Sequence, residues 1–99
     1  MIARIHTLEA TDEQYDRGLR VVRDDLLPWA RESSGFCGLI GLADRETGRA
    51  LVITLWKDEE SAAASAEAAV RLGELADAYS GATRVGIDSY EVTLFDVVV

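Results

Sequence analysis

Cysteine and histidine are almost absent from this 99-residue sequence, which contains one of each, Cys37 and His6. Because a single cysteine cannot form an internal disulfide, nothing ties the chain to an oxidising compartment. We expect Cys37 to be a small buried apolar residue. With no His/Cys pair at ligand spacing, the sequence predicts no metal site.

Positive charge and long apolar runs are scarce as well. The 10 basic residues are outnumbered by 18 acidic ones, which gives a formal net charge of -8. Nucleic acid and anionic membrane surfaces repel such a chain, so neither is expected as a partner. The N-terminal segment is charged and lacks an apolar run. We therefore expect no signal peptide, no membrane span and a cytoplasmic location.

Motifs that bind common cofactors are missing too. The sequence has no Gly-rich phosphate loop, no nucleophile elbow and no dinucleotide fingerprint, so flavin and nicotinamide have no binding motif. We therefore expect no cofactor.

A Cys37–His6 nucleophilic pair is not expected either, because two strand spacings of the predicted sheet would hold the backbones about 10 Å apart.

The first part of the chain predicts one strand and one interrupted helix. The segment Ile2–Leu8 alternates loosely between apolar and polar residues, which is typical of a strand. Thr11 and Gln14 have the spacing of a capping box, so a helix should begin there. Pro28 lacks an N–H and clashes with the preceding turn, so this helix should kink or restart near Leu27.

The rest of the chain predicts a hairpin, a helix and a last strand. Two apolar runs, Phe36–Ala43 and Ala50–Trp56, are joined by a polar turn and form the hairpin. Asp58 can cap a second helix that runs through an alanine-rich stretch towards Tyr79. The β-prone run Ile87–Val97 predicts the final strand.

This order of elements, β-α-β-β-α-β, predicts a single ferredoxin-like α+β domain over residues 1–99. Its four-stranded antiparallel sheet should have the strand order fourth, first, third, second, with two helices on one face. Both faces of the Ala50–Trp56 strand are largely apolar, whereas a sheet face exposed to water should carry polar residues. A second copy packed sheet to sheet is the simplest cover, so we expect a homodimer.

The run Gly35–Ser61 resembles the antibiotic biosynthesis monooxygenase domain, in which a Ser-Gly pair leads through a hairpin to a Trp-polar-acidic helix start. Trp56, Lys57 and Asp58 form that start here. The resemblance implies a dimeric α/β barrel and a cofactor-independent monooxygenase that oxidises anthrone-, quinol- or similar polyphenol-type substrates. The alternative is a non-catalytic dimeric module that binds a small ligand or a partner, because this barrel is used widely without chemistry.

His6, Trp56 and Tyr90 are the candidate catalytic residues under this resemblance. His6 would suit proton transfer because histidine titrates near neutrality, and the alternative is a polar edge or interface residue. Trp56 would line the substrate pocket or anchor the core under the helix start. Tyr90 is otherwise a packing residue with its hydroxyl near the rim. Some characterised relatives use an asparagine–tryptophan pair, and this sequence contains no asparagine.

Small residues on one stripe of the second predicted helix bear on a ligand site. They are Ala62, Ala66, Ala69, Gly73 and Ala76. Such a stripe either draws the helix close to the sheet or leaves volume for a ligand. An open volume walled by Trp56 and tyrosines would hold a flat aromatic molecule. Arg71 and Arg84 are interpreted as solvated charges.

Overall fold

The structure is a computed structural model that describes all 99 residues, built around one sheet of four strands. In chain order the elements are β1 (Ile2–Glu9), α1 (Asp12–Val21), a π-helical turn (Val22–Leu26), α2 (Leu27–Glu32), β2 (Phe36–Asp44), β3 (Arg49–Trp56), α3 (Glu59–Ser80) and β4 (Thr83–Glu91). The strand order is β2-β3-β1-β4, and all neighbours are antiparallel. The predicted ferredoxin-like α+β fold and its strand order are thus confirmed.

The first predicted helix begins and is interrupted where the sequence predicts. Gln14 N–H donates to Thr11 Oγ1 at 3.2 Å, and Thr11 N–H donates to Gln14 Oε1 at 2.9 Å, which completes the capping box. Before Pro28 the helix widens into the π-helical turn, where Leu27 N–H donates to the carbonyl of Val22. Because Pro28 has no N–H to bond the carbonyl four residues back, the wider turn absorbs that gap.

The helices cover one face of the sheet. Arg4 and His6 of β1 point to that face, and the Arg4 guanidinium donates to the Ala62 carbonyl and to the Ser65 hydroxyl of α3. Trp56, at the end of β3, packs on the same side and has no solvent exposure. The core of the chain therefore lies between the sheet and the helical layer.

The other face of the sheet is apolar, and no helix of the chain covers it. Side-chain alternation along the paired strands places Ile5, Ile53 and Ile40 next to one another on it. Ile40 is 41% exposed and Leu42 is 46% exposed. The structure thus contains the apolar face from which a second copy is predicted.

The helix α3 runs from Glu59 to Ser80 without a break at Gly73. It begins at Asp58 as predicted, where the Asp58 Oδ1 accepts a hydrogen bond from Ser61 N–H at 2.8 Å. It ends where Gly81 adopts the left-handed conformation, with a φ of 78°. None of the helices has the length and hydropathy that crossing a bilayer requires.

The final strand differs from the prediction. Because β4 spans Thr83–Glu91, the predicted run Ile87–Val97 both begins and ends too late. Glu91 pairs with Ile2, the first residue of β1, so the sheet offers no strand partner to later residues. The β-prone residues beyond Glu91 make only one backbone hydrogen bond to the start of the chain, to the Met1 carbonyl.

Cys37 is exposed, and its predicted burial is wrong. It lies at an irregularity of β2, where Phe36 pairs with Trp56 and Gly38 pairs with Leu55, so Cys37 has no partner across the ladder. An irregularity of this kind takes a side chain out of the alternating pattern that the prediction assumed.

Candidate functional site

A cavity opens between the helical layer and the helix-facing side of the sheet. The cavity volume that water-sized molecules can reach is about 60 Å³. Of its 22 lining residues, 14 are hydrophobic. Since one water needs about 10–15 Å³ by this measure, the space corresponds to roughly four to six waters. His6, Asp77 and Arg84 form a polar cluster in its wall. No group of three or more His, Cys, Asp or Glu side chains is placed to hold a metal ion.

Small residues of α3 create part of this volume. Ala69, Gly73 and Ala76 line the cavity. Nearer the start of the helix, Ala62 is buried and its carbonyl accepts a hydrogen bond from Arg4 on the sheet. Each interpretation of the small-residue stripe therefore holds for a part of it, because the first turns pack closely and the later turns leave space.

The facing wall comes from α1, the π-helical turn and α2. Its apolar lining residues recur at helical spacing, and they are Leu19, Val22, Leu26 and Trp29. Widened helical turns of the π type occur often at functional sites, and two of these lining residues lie within one. The spacing is visible in the sequence, so helical periodicity could have identified this wall.

Trp56 belongs to an aromatic cluster in the wall of the cavity. Its ring centroid lies 6.3 Å from that of Trp29 and 5.5 Å from that of Phe36. Its indole N–H donates to Thr54 Oγ1 at 3.0 Å. A ring with no exposed surface and a bonded N–H anchors the core, and the same ring lines the cavity.

Arg4 is a buried cation beside Trp56. Its Cζ lies 5.8 Å from the centroid of the Trp56 ring, within the range of a cation–π interaction. Burial lowers the pKa of Arg4. Its hydrogen bonds go to the Ala62 carbonyl and the Ser65 hydroxyl, so the guanidinium joins Trp56 and the first turns of α3 to β1.

His6 lies on β1 with 8% of its surface exposed, and it lines the cavity. Its Nδ1 is 3.3 Å from Arg84 Nη1. Burial lowers the pKa of His6 to about 4, aided by the charges of Arg84 and Arg4 and opposed by that of Asp77. The imidazole is therefore neutral at pH 7 and a weak proton acceptor.

Arg84 joins His6 to α3. Its Nε lies 2.9 Å from Asp77 Oδ2, although Nε has no acceptor aligned for a hydrogen bond. The guanidinium crosses α3 at Gly73, where a Cβ would overlap it. Its side chain is only 19% exposed, so its interpretation as a solvated charge is wrong, whereas Arg71 is 69% exposed. Sequence analysis placed Gly73 in the small-residue stripe but did not connect it with Arg84. A glycine inside a helix costs about 1 kcal/mol, so it can signal the close approach of another side chain.

Tyr90 lies apart from this cavity. It pairs with Ala3 of β1, which places it on the face opposite His6, and it is 57% exposed. The structure thus brings together two of the three candidate residues, His6 and Trp56, and sets Tyr90 on the uncovered face. Tyr15 of α1, which sequence analysis did not select, supplies a phenol ring to the cavity wall.

Sequence comparison identifies relatives whose functions are not described. No family model matches the sequence. The chain is 33% identical over 84 residues to the uncharacterised protein Rv2558 of Mycobacterium tuberculosis strain H37Rv. This match covers 84% of the chain and 36% of the relative. The chain thus spans about a third of the length of the curated relatives it matches.

Several solved structures with the same fold are oxygenases. A candidate antibiotic biosynthesis monooxygenase from Deinococcus radiodurans has a TM-score of 0.72 and 18% identity, over 100% of this chain and 99% of that one. SnoaB, a cofactor-independent oxygenase from Streptomyces nogalater, has a TM-score of 0.71 and 10% identity, over 95% and 94%. The ActVA-Orf6 monooxygenase of Streptomyces coelicolor, in complex with nanaomycin D, has a TM-score of 0.67 and 17% identity, over 99% and 90%.

The chain therefore has the fold of the antibiotic biosynthesis monooxygenases, which confirms the resemblance at the level of fold. The same fold occurs in a dimeric ferredoxin-like protein from an uncultured marine organism, with a TM-score of 0.64 and 14% identity over 98% of this chain and 92% of that one. At these identities the similarity establishes architecture, so the reaction has to be argued from the cavity.

Proposed function

We propose that this protein is a cofactor-independent monooxygenase that oxidises a flat aromatic substrate of the quinol or anthrone type. The observation that carries the proposal is the apolar cavity, which has Trp56 and Trp29 in its walls and a polar cluster on one side. Such walls suit a flat organic ring. The fold shared with SnoaB and with the ActVA-Orf6 monooxygenase supports the same chemistry.

The reaction needs only the substrate and oxygen. At an activated ring carbon, CH₂ and O₂ become C=O and H₂O. The ionised substrate passes one electron to O₂, the two radicals join, and the proton released at ionisation returns to give a hydroperoxide. Loss of water then breaks the O–O bond and leaves the ketone. The protein holds the ring in a dry cavity and stabilises charge on the substrate oxygen.

In this proposal the aromatic residues hold the ring, and His6 faces its oxygen. Trp29 supplies apolar contact surface with the fully buried Trp56 packed against it, and Tyr15 lines the same space. Tyr90 has no place in this cavity, since it lies on the uncovered face of the sheet. Room for roughly four to six waters matches one or two fused rings, so a third ring would reach the opening.

Oxygen uptake by the purified, metal-free protein tests the proposal. The substrates are dihydroxynaphthalenes, quinols and anthrones, each corrected for its spontaneous oxidation. We expect uptake above background, reduced at least about tenfold in Ala76→Phe, whose ring would fill the cavity. Ala78→Phe, at an exposed position of the same helix, is the matched control and should stay active. Absence of uptake with every substrate would contradict the proposal.

The second candidate is a non-catalytic module that binds the same aromatic ligands. It is favoured by the weakness of the candidate base, because the pKa of His6 is lowered to about 4. The indole N–H of Trp56 is a donor only, and it is already bonded to Thr54. Such a module would bind ligands without consuming oxygen. Fluorescence titration alongside the uptake assay separates the two, since binding without uptake supports the module.

The proposal includes a homodimer joined through the uncovered sheet face. Ile40, Leu42 and Tyr90 are exposed on that face. Residues 92–99 add further apolar surface, with Leu94 85% exposed and Val98 93% exposed. Exposed apolar surface of this extent is typical of an interface. The dimeric ferredoxin-like protein of the same fold supports this arrangement.

A further inference from the structure

The contact between His6 and Arg84 determines where the imidazole proton lies. Arg84 Nη1 is 3.3 Å from His6 Nδ1. A guanidinium carries only donors, so Nδ1 has to be the acceptor and cannot carry a proton. In a neutral imidazole the proton then lies on Nε2. The tautomer is an assignment from this geometry and from the permanent charge of arginine.

Arg84 is held in position from α3. Asp77 Oδ2 lies 2.9 Å from Arg84 Nε, and the two side chains are 25% and 19% exposed. The absence of a side chain at Gly73 gives the guanidinium its path across the helix. Asp77, Gly73 and Arg84 therefore act together to support His6.

The second ring nitrogen of His6 has no partner within the chain. Only Nδ1 makes a hydrogen bond, and Nε2 is not among the fully enclosed polar atoms that lack one. Because His6 lines the cavity, its Nε2–H is available to a bound molecule. In apolar surroundings such a donor stabilises an oxygen acceptor more strongly than it would in water.

We propose that Asp77 and Arg84 are positioning residues that hold His6 as a neutral hydrogen-bond donor, and that the cavity selects ligands which present an anionic oxygen to His6 Nε2. The selection of substrate rests on the proposed function. In this arrangement His6 does not take the substrate proton. The substrate ionises through its own acidity, and Nε2–H and the Arg84 cation stabilise its charge. The substrate class is flat phenols and enolisable ring ketones, whose anion carries its charge on the oxygen and over the ring.

Charged and titratable groups around His6 come from every element packed against it. Arg4 lies on the same strand, Arg84 on β4 and Asp77 on α3. Tyr15 of α1 lines the same cavity. Burial is the main cause of the lowered His6 pKa, and the charges add to it, because two cations oppose a charged imidazole and one carboxylate favours it.

The presence of only one histidine makes the test direct. Long-range ¹H–¹⁵N NMR on the ¹⁵N-labelled, ligand-free protein reports the protonation of each ring nitrogen. We expect the Nε2–H tautomer near pH 7. A proton on Nδ1, or a charged ring at that pH, would overturn the proposal.

The Gly73→Ala variant tests whether the position of the Arg84 guanidinium matters, because it should move the guanidinium while leaving Arg84 in the chain. The new methyl group would overlap the flexible end of Arg84, so it should displace the guanidinium and leave the helix intact. We expect a mixture of both tautomers in this variant. Gly86 lies outside the cavity, and the methyl group of Gly86→Ala would meet nothing closer than Asp88 at 3.9 Å, so the Nε2–H tautomer should persist in that control. An unchanged tautomer in Gly73→Ala would refute the positioning role.

Ligand binding tests the selectivity with 2-naphthoate and with 2-acetylnaphthalene, an uncharged analogue of similar shape. A charged hydrogen-bond partner should make 2-naphthoate bind about 10- to 100-fold more tightly, despite the acidic character of the chain. Gly73→Ala should lose this preference, and Gly86→Ala should keep it. Equal affinities in the unsubstituted protein would overturn the selectivity. Failure of both ligands to bind would instead count against the cavity as an aromatic site, and NMR would still decide the tautomer.

Discussion

Burial, aided by Arg84 and Arg4, lowers the pKa of His6 to about 4, and Asp77 offsets only part of this shift. An imidazole with so low a pKa accepts protons poorly at pH 7, so it does not suit the proton transfer that ordinary histidine titration suggests. It is still a good hydrogen-bond donor inside an apolar cavity. His6 therefore keeps its place in the candidate site and changes its role.

His6 should also make the stability of the fold depend on pH. The pKa of an unfolded histidine is about 6.5 and that of folded His6 is about 4, so between these pH values the unfolded state binds more protons. The contribution of the neutral ring is complete above pH 6.5. The free energy of unfolding should fall as the pH drops through this window, by on the order of 3 kcal/mol in full.

Urea unfolding at a series of pH values measures this effect, with His6→Gln as the reference protein. Carboxylates titrate in both proteins, so their contribution cancels in the difference. The substituted protein should lose the part of the pH dependence that lies between about pH 6.5 and 4. The same pH dependence in both proteins would rule out a buried neutral imidazole.

At the scale of elements, local signals were enough to predict the fold. Thr11 and Gln14 mark a helix start, Pro28 marks a break and alternating runs mark strands, each within a few residues of sequence. The end of β4 could not be predicted in this way, because strand length depends on the partner and β1 begins at Ile2. The exposure of Cys37 could not be predicted for a similar reason, since the irregularity beside it is a property of the β2–β3 pairing.

The candidate site could be predicted only in part. His6 and Trp56 share a face because strand alternation and pairing set their directions, and both can be read from sequence. Arg84 could not be placed, since a register shift at Thr7 and Leu8 of β1 changes the alternation opposite it. Whether α3 stands away from the sheet depends on the joint packing of its small residues, which their spacing does not determine.

The stability of the cap at the end of α3 should depend on one glycine, Gly81. Gly81→Ala would put a Cβ on a residue with a φ of +78° and bring it to 3.2 Å from Gln14 Nε2. We expect the free energy of unfolding to fall by about 1–2 kcal/mol. Gly86→Ala is the control, because its Cβ would have no neighbour closer than 3.9 Å. Denaturant unfolding that gives equal losses for the two variants would show that the left-handed cap is not the cause.

At the scale of the whole molecule, the chain has little core of its own. Only 13 of its 99 residues are buried, and a short domain buries a smaller fraction of its surface on folding than a longer one does. The uncovered sheet face and residues 92–99 both expose large apolar side chains. A second copy placed on this face would supply the burial that one chain lacks.

The proposed homodimer leads us to expect different effects at two residues of nearly equal exposure. Ile40 on the uncovered face is 41% exposed, and Val70 on α3 is 42% exposed. We expect Ile40→Asp to dissociate the dimer, because it buries a charge in the interface, and Val70→Asp to leave the dimer intact. Light scattering at micromolar concentration measures the mass. A monomer mass for the unsubstituted protein, or dissociation by both substitutions alike, would argue against this interface.

The central claim is that the cavity supports oxidation by molecular oxygen without a cofactor. Mass spectrometry of the ketone formed from an anthrone under ¹⁸O₂, in the presence of metal-free protein, tests it most directly. We predict one ¹⁸O atom in each ketone, with the ketone formed faster than in buffer alone. A rate equal to that in buffer, or a ketone without the label, would contradict the claim.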